Sequence, residues 1–225
     1  MGGKRREIFY KKRRNMKIFL KAIVSIIILS FILLYGCTTT LKTTYAPVSE
    51  PIYTERITLP VVIKKVIDKR NVEPFIYYQK GMDIAKFDKS VTQIVREALT
   101  TELQRLGLRV VKAEKPISYK NTVALECEVI EFGAVVTEKF LGSNVLKLTV
   151  AIKFKWLDPT TDTVLEENER IEKRVRKLGW GEVPSLPFGS EIIEDYGNQL
   201  INDLLPRVIE KELRANKILK MRAKK

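Results

Sequence analysis

The chain has 225 residues, 30% of them charged, with 41 Lys and Arg against 27 Asp and Glu, a net charge of +14 and no histidine. That length suits one domain with flanking segments. The lack of histidine excludes Ser-His-Asp and Cys-His catalysis and His-ligated metal sites, and two cysteines make no disulfide framework.

The charge is unevenly placed. Residues 1–36 hold nine Lys and Arg and one Glu, residues 211–225 hold seven and one, and residues 37–210 carry 25 of each sign. A nucleic-acid footprint needs a basic stripe on the domain itself, so no nucleic-acid partner is expected.

Residues 1–15 (MGGKRREIFYKKRRN) form a basic block. It either holds the cytoplasmic side during insertion or precedes a true start at Met16. Residues 16–37 read MKIFLKAIVSIIILSFILLYGC. Lys17 and Lys21 open the stretch, and residues 22–36 are an uncharged, mostly apolar run. Small residues then precede Cys37, which is the pattern of a secretory signal. Leu34, Tyr35 and Gly36 before Cys37 resemble the lipobox of bacterial lipoproteins. That resemblance implies cleavage before Cys37, a thioether-linked diacylglycerol on its sulfur and, as a rule, an acyl chain such as palmitate on its new amino group. The other reading is an uncleaved anchor. A membrane-spanning helix needs about 20 apolar residues, so the anchor must extend back through Ile18, Phe19 and Leu20, with Lys21 snorkelling.

The expected divisions are a signal peptide over 1–36, a lipid anchor and linker over 37–56, an α+β domain over 57–210 and a basic tail over 211–225. The linker is rich in Thr, Pro and Ser and has no periodicity. As a flexible chain it reaches roughly 25 Å, and Tyr45, Ile52 and Tyr53 are its groups suited to docking on the domain.

The domain opens with ITLPVVIKKVIDKR, a β-branched strand in which Pro60 fits a strand start or an edge. Residues 71–87 read as a loop. A helix follows from Asp88 or Ser90 as cap, with Val91, Ile94, Val95, Ala98, Leu99, Leu103 and Leu106 on one stripe. Gly107 stands where a helix ends, and residues 108–111 form a short strand. Residues 122–132 and 144–156 alternate apolar and polar, and LDPTTDT turns the second into a return strand over 164–175. Glu and Lys on these strands form cross-strand pairs. After a loop, the last helix runs from Ser190 with a stripe of Ile192, Ile193, Tyr196, Leu200, Leu204 and Val208. Pro206 kinks or divides it, and beyond Glu210 the chain frays. The expected fold is an α+β two-layer sandwich: a mainly antiparallel sheet of four to five strands with two helices packed on one face.

The candidate chemistry is sparse. Cys127 alternates with Leu125 and Val129 and reads as a buried, inert thiol. Glu126 and Glu128 share the opposite face, and Glu166, Glu167 and Glu169 read as a solvated edge. In one reading Asp68 caps the loop after the first strand and Arg70 pairs with a carboxylate; in the other, Asp68 and Arg70 mark a partner-binding end of the sheet. Phe140 and Leu141 at a hairpin tip, and Trp180 and Phe188 on a Gly- and Pro-containing loop, are candidate partner contacts or cover for the sheet edge. No catalytic residue, metal or cofactor is assigned, and the basic tail is either solvated or drawn to anionic lipid.

The order of these pieces resembles the YajG-type family of bacterial lipoproteins. It comprises the lipobox Cys37, VVIKKVIDKR, REALTTELQRLGLRVV, VALECEVIEF, KLTVAIKFKWLDPTTDTVLEE and a closing helix, over residues 37–210. Similar layouts occur in the lipopolysaccharide-assembly lipoprotein, in auxiliary lipoproteins of ABC transporters and in the curli-secretion lipoprotein. The resemblance implies a non-enzymatic, membrane-held accessory component with a protein partner in the envelope. The alternatives are a structural envelope lipoprotein without a specific ligand and a signal-anchored protein. Thr38 rather than Asp after the cysteine points to the outer membrane.

Overall fold

The longest alternating stretch of the sequence builds the middle of the sheet. In the computed structural model, residues 39–46, 59–71, 75–78, 83–111, 122–137, 144–179 and 190–222 are described, all within one compact unit, Thr39–Lys225. β6 (Val123–Thr137) pairs along its whole length with antiparallel β7 (Val145–Leu157), and β7 pairs with antiparallel β8 (Val164–Lys177). A bulge between Val129 and Glu131 bends β6. Its two halves therefore take different neighbours on the other edge. Residues 123–129 pair with β2 (Pro60–Asp68), and residues 134–136 with β3 (Ile76–Tyr78). β4 (Asp83–Phe87) and β1 (Thr39–Leu41) continue outward from β3, and β5 (Arg109–Val111) flanks β2.

The α+β class is as expected, and most of the paired length is antiparallel. The expected strands are present as β2, β5, β6, β7 and β8, and β1, β3 and β4 bring the sheet to eight. These additions correct the sequence reading in two places. Residues 71–87 are not all loop, because Phe75 and Ile76 are fully buried and β3 lies against β6. Gly133 permits this: a Cβ there would sit 2.9 Å from the Phe75 carbonyl oxygen. Phe87 stacks on Phe75 with ring centres 4.0 Å apart and meets Phe132 edge-on at 5.8 Å.

The second correction is at the start. Residues 39–46, expected in the linker, belong to the folded unit. β1 pairs with β4 in parallel. Asp88 Oδ1 accepts hydrogen bonds from the Thr43 amide (2.9 Å) and hydroxyl (2.6 Å). The Tyr45 hydroxyl donates to Glu102 at 2.6 Å, and the Ala46 amide donates to the Asn202 side chain at 2.9 Å. These contacts outweigh the absence of periodicity, which is a weak guide for so short a segment. Ile52 and Tyr53 lie outside the described residues.

α1 (Val91–Arg105) packs on β2 and β5. Ser90 caps it, accepting from the Gln93 amide at 3.2 Å, which leaves Asp88 to hold Thr43. Its end is a Schellman motif: Gly107, at φ 76°, donates to Gln104 O (2.9 Å), and Leu108 donates to Leu103 O (3.0 Å). The final helix is α2 (Ser190–Gln199), a π-helical turn (Leu200–Leu204) and α3 (Leu205–Ala215). Pro206 has no N–H to offer, and the Leu205 amide reaches back five residues to Leu200 O. The proline thus divides the helix by widening one turn. α3 lies against β7, β8 and α1.

The basic tail does not fray at Glu210. Leu213, Ile218 and Leu219 are buried, and α3 is followed by α4 (Lys217–Arg222). Asn216, fully buried, caps α4 by accepting from the Leu219 amide at 2.9 Å. Apolar spacing prevails over net charge here, because the Lys and Arg among these residues leave the buried stripe to Leu and Ile. Among the described residues, no helix is long and apolar enough to cross a membrane.

Candidate functional site

Asp68 and Arg70 are brought together where β2 leaves the sheet. Asp68 Oδ1 accepts from the Arg70 amide (3.1 Å) and Nε (2.9 Å), and Oδ2 accepts from Arg70 Nη2 (2.7 Å). Arg70 Nη1 also donates to Phe132 O at 3.2 Å, across the β6 bulge. Burial alone would push the Asp68 carboxyl up, but the hydrogen bonds and charge of Arg70 hold it below its ordinary value. The pair fastens the end of β2 to β6. The Arg70 side chain is 8% exposed and that of Asp68 33%, so the carboxylate is the half that faces outward. Phe140, Leu141, Trp180 and Phe188 lie outside the described residues, as do Cys37, Leu34, Tyr35 and Gly36.

The remaining candidates are structural. Cys127 is fully buried. Burial, and then the negative charge of Glu212, push its thiol well above its ordinary value. A thiol so placed is a poor nucleophile. Glu128 accepts from Lys155 Nζ at 2.8 Å, which lowers its carboxyl and raises the lysine. Lys153 pairs with Glu167 at 2.5 Å. Both are the cross-strand pairs read from the sequence, and a lowered carboxyl suits no general acid at neutral pH. Among the described residues, no three His, Cys, Asp or Glu side chains are grouped to hold a metal ion. A depression between Glu102, Arg105, Leu106, Glu210, Leu213 and Arg214 holds about 10 Å³, room for one water molecule.

Two features escaped the sequence reading. The first is Glu212, fully buried in what was read as a solvated tail. Its carboxylate accepts from Trp156 Nε1 (2.8 Å), Arg170 Nε (2.8 Å), Asn168 Nδ2 (3.3 Å) and Asn216 Nδ2 (3.3 Å). The signal was present in the spacing: Leu205, Val208, Ile209, Glu212 and Leu213 fall on one helical stripe.

The second is β8. Its side chains facing the helices are polar. Arg170 bonds Glu212, Arg174 bonds Asp203 and Gln199, Glu172 pairs with Lys211, and Glu166 accepts from the Lys217 amide. On the opposite face, Leu165, Ile171 and Val175 are 43%, 42% and 66% exposed, and Val164 at the strand's start is 50% exposed. All the large exposed apolar side chains among the described residues are on this strand. β8 pairs with β7 alone, so its outer edge has no strand partner among the described residues.

No protein-family signature and no curated protein matches the sequence. In fold, the chain is similar to the XCC0632 protein of Xanthomonas campestris, of family DUF330. That likeness has a TM-score of 0.58 at 10% identity and covers 84% of this chain and 100% of that one. A minor lipoprotein from Acinetobacter baumannii matches with a TM-score of 0.41 at 11% identity, over 75% of this chain and 96% of that one. The hypothetical protein CT253 of Chlamydia trachomatis matches with 0.41 at 12%, over 71% and 95%. The last two are too distant to carry an argument. The first establishes the fold class, a helical layer on one face of a sheet, and nothing further.

Proposed function

We propose that this is a lipid-anchored, non-catalytic lipoprotein that serves as an accessory or binding component of a cell-envelope assembly or transport system. The observation that carries it is the order of residues 16–37: two lysines, an apolar run too short to span comfortably, then Leu34, Tyr35, Gly36 and Cys37. A thiol and an amino group at Cys37 are the atoms that acylation would use. The closing-helix and hairpin motifs that resemble the YajG-type group support placing the chain beside that family. Thr38 after the cysteine favours the periplasmic face of the outer membrane.

Among the described residues the one thiol, Cys127, is buried, and Arg70 and Lys155 hold the carboxyls of Asp68 and Glu128 below their ordinary values. Asp68 and Arg70, with Phe140, Leu141, Trp180 and Phe188, are the set we assign to contact with an envelope protein.

The test is fatty-acid labelling of the full chain in cells. Wild type should take up an alkyne-tagged fatty acid and lose residues 1–36. Cys37→Ser should lose the label and keep them. Labelling that persists in Cys37→Ser, or an unlabelled wild type retaining residues 1–36, overturns the lipoprotein reading. The second outcome would favour the uncleaved anchor, for which the apolar Ile18, Phe19 and Leu20 provide the extra length.

A further inference from the structure

We infer that β8 is a self-pairing edge, and that two copies of this chain join by it across a two-fold axis at Ile171 into one continuous sheet. An open edge offers a row of unsatisfied N–H and C=O groups, and proteins ordinarily blunt it with charge, prolines or cover. β8 is 14 residues long with no proline and no covering strand among the described residues. Its charge is not uniform, as simple blunting would have it, but segregated. Glu166, Glu167 and Glu169 precede Ile171 and Lys173, Arg174, Arg176 and Lys177 follow it, with Arg170 and Glu172 as one inverted pair beside it.

Segregated charge is self-complementary when a strand meets its own copy head to tail. An axis normal to the sheet keeps each side chain on its own face, so it must pass through a residue. With the axis at Ile171, Glu169 stands opposite the partner's Lys173, Arg170 opposite the partner's Glu172 and Glu166 opposite the partner's Arg176. Ile171 meets itself. Each charged pair occurs twice and no like charges face each other. Moving the axis by one residue sets Arg170 against itself, or Glu172 against itself. Moving it by two sets Glu169 or Lys173 against itself. Opposite charges across strands stabilise and like charges oppose, so the register is determined by the sequence.

The exposed apolar side chains support the same arrangement. Ile171 and Val175 lie on the outer face, where a second copy would cover them from its own Ile171 and Glu167. Glu169 and Lys173 have no ion-pair partner among the described residues, so each is available across the axis. Arg170, Glu172 and Glu166 keep their contacts with Glu212, Lys211 and the Lys217 amide and face the partner's strand only as complementary charge, so Glu169 and Lys173 are the pair that closes across the axis.

The experiment measures the mass of the full chain in detergent by sedimentation. Wild type is expected to be dimeric. Glu169→Lys and Lys173→Glu, each at an exposed position, are expected to weaken the dimer at least about tenfold, because each introduces two like-charge oppositions. The double reversal Glu169→Lys with Lys173→Glu is expected to restore it. Ile171→Cys should form a disulfide-linked dimer on mild oxidation, because opposed Cα atoms are about 4.5–5.5 Å apart. Leu165→Cys should not, because its own copy is far along the strand. The wild-type chain, with Cys127 buried, is the blank. A monomer at up to about 100 μM, where a Kd of about 1 μM would leave little of the chain unpaired, overturns the inference. So does a dimer indifferent to Glu169→Lys, equal crosslinking at Leu165, or capture of another protein by Ile171→Cys.

Discussion

Tyr45 makes the start of the chain part of the domain. Its ring is half-buried against the core, and its hydroxyl meets Glu102, which also pairs with Arg105 at 2.7 Å. Burial, and then the hydrogen bond to an anion, push the phenol far above its ordinary 10.0. A group whose folded value is raised contributes stability that is complete below its unfolded value and is lost as pH climbs past it. The urea midpoint of the wild type should therefore fall above about pH 10, where the unfolded phenol ionises. Tyr45→Phe should cost about 1 kcal/mol at pH 7 and show a shallower alkaline decline. Parallel declines from pH 9 to 11 would sink this account. Tyr45 was legible in the sequence as a docking group because it is aromatic in a polar segment. Asp88 was not, because a helix cap and a side-chain clasp look alike until Thr43 is placed beside it.

At the scale of elements, legibility followed length. β6, β7 and β8 carry 15, 13 and 14 residues, enough for a period of two to stand out. β1, β3 and β4 have three, three and five residues, too few to show a period, and only pairing with neighbouring strands defines them, whereas the equally short β5 was legible because it follows the Gly107 helix end directly. β3 depends on one close approach. Gly133 brings the β6 backbone against Phe75 O, and the Ala134 amide bonds that oxygen. The obstacle to a Cβ is backbone, which cannot swing aside. Gly133→Ala should therefore cost about 1–3 kcal/mol, as overpacking does, and should raise amide exchange in β3 more than in β7. Unchanged urea unfolding would show that β3 can shift freely. β8 was read correctly as a strand but its faces were not. The sequence shows charge on both sides, and only the buried carboxylate of Glu212 decides which side turns inward.

For the whole molecule, net charge was the misleading guide. Residues 211–225 looked like a solvated tail because seven of fifteen are Lys or Arg. Through Arg222 they form two helices that meet at Asn216, and Lys211, Arg214 and Lys217 stand exposed on the surface of the domain. Ile218 and Leu219 are 8% and 4% exposed. Each buried aliphatic side chain contributes about 1.5–3 kcal/mol. Ending the chain after Ala215 would also remove Asn216 from the Glu212 carboxylate. That truncation should lower stability by about 3–6 kcal/mol, measured by urea unfolding, whereas a frayed tail would cost nothing measurable.

The docked first strand has a consequence for how far the domain can range. β1 begins at Thr39, two residues beyond Cys37, and two peptide units span at most about 7 Å. An acylated Cys37, as proposed, would thus be joined to the fold by a tether of two residues rather than nineteen, and the span the domain could sweep beside a bilayer would shrink from the roughly 25 Å of a free linker to about 7 Å.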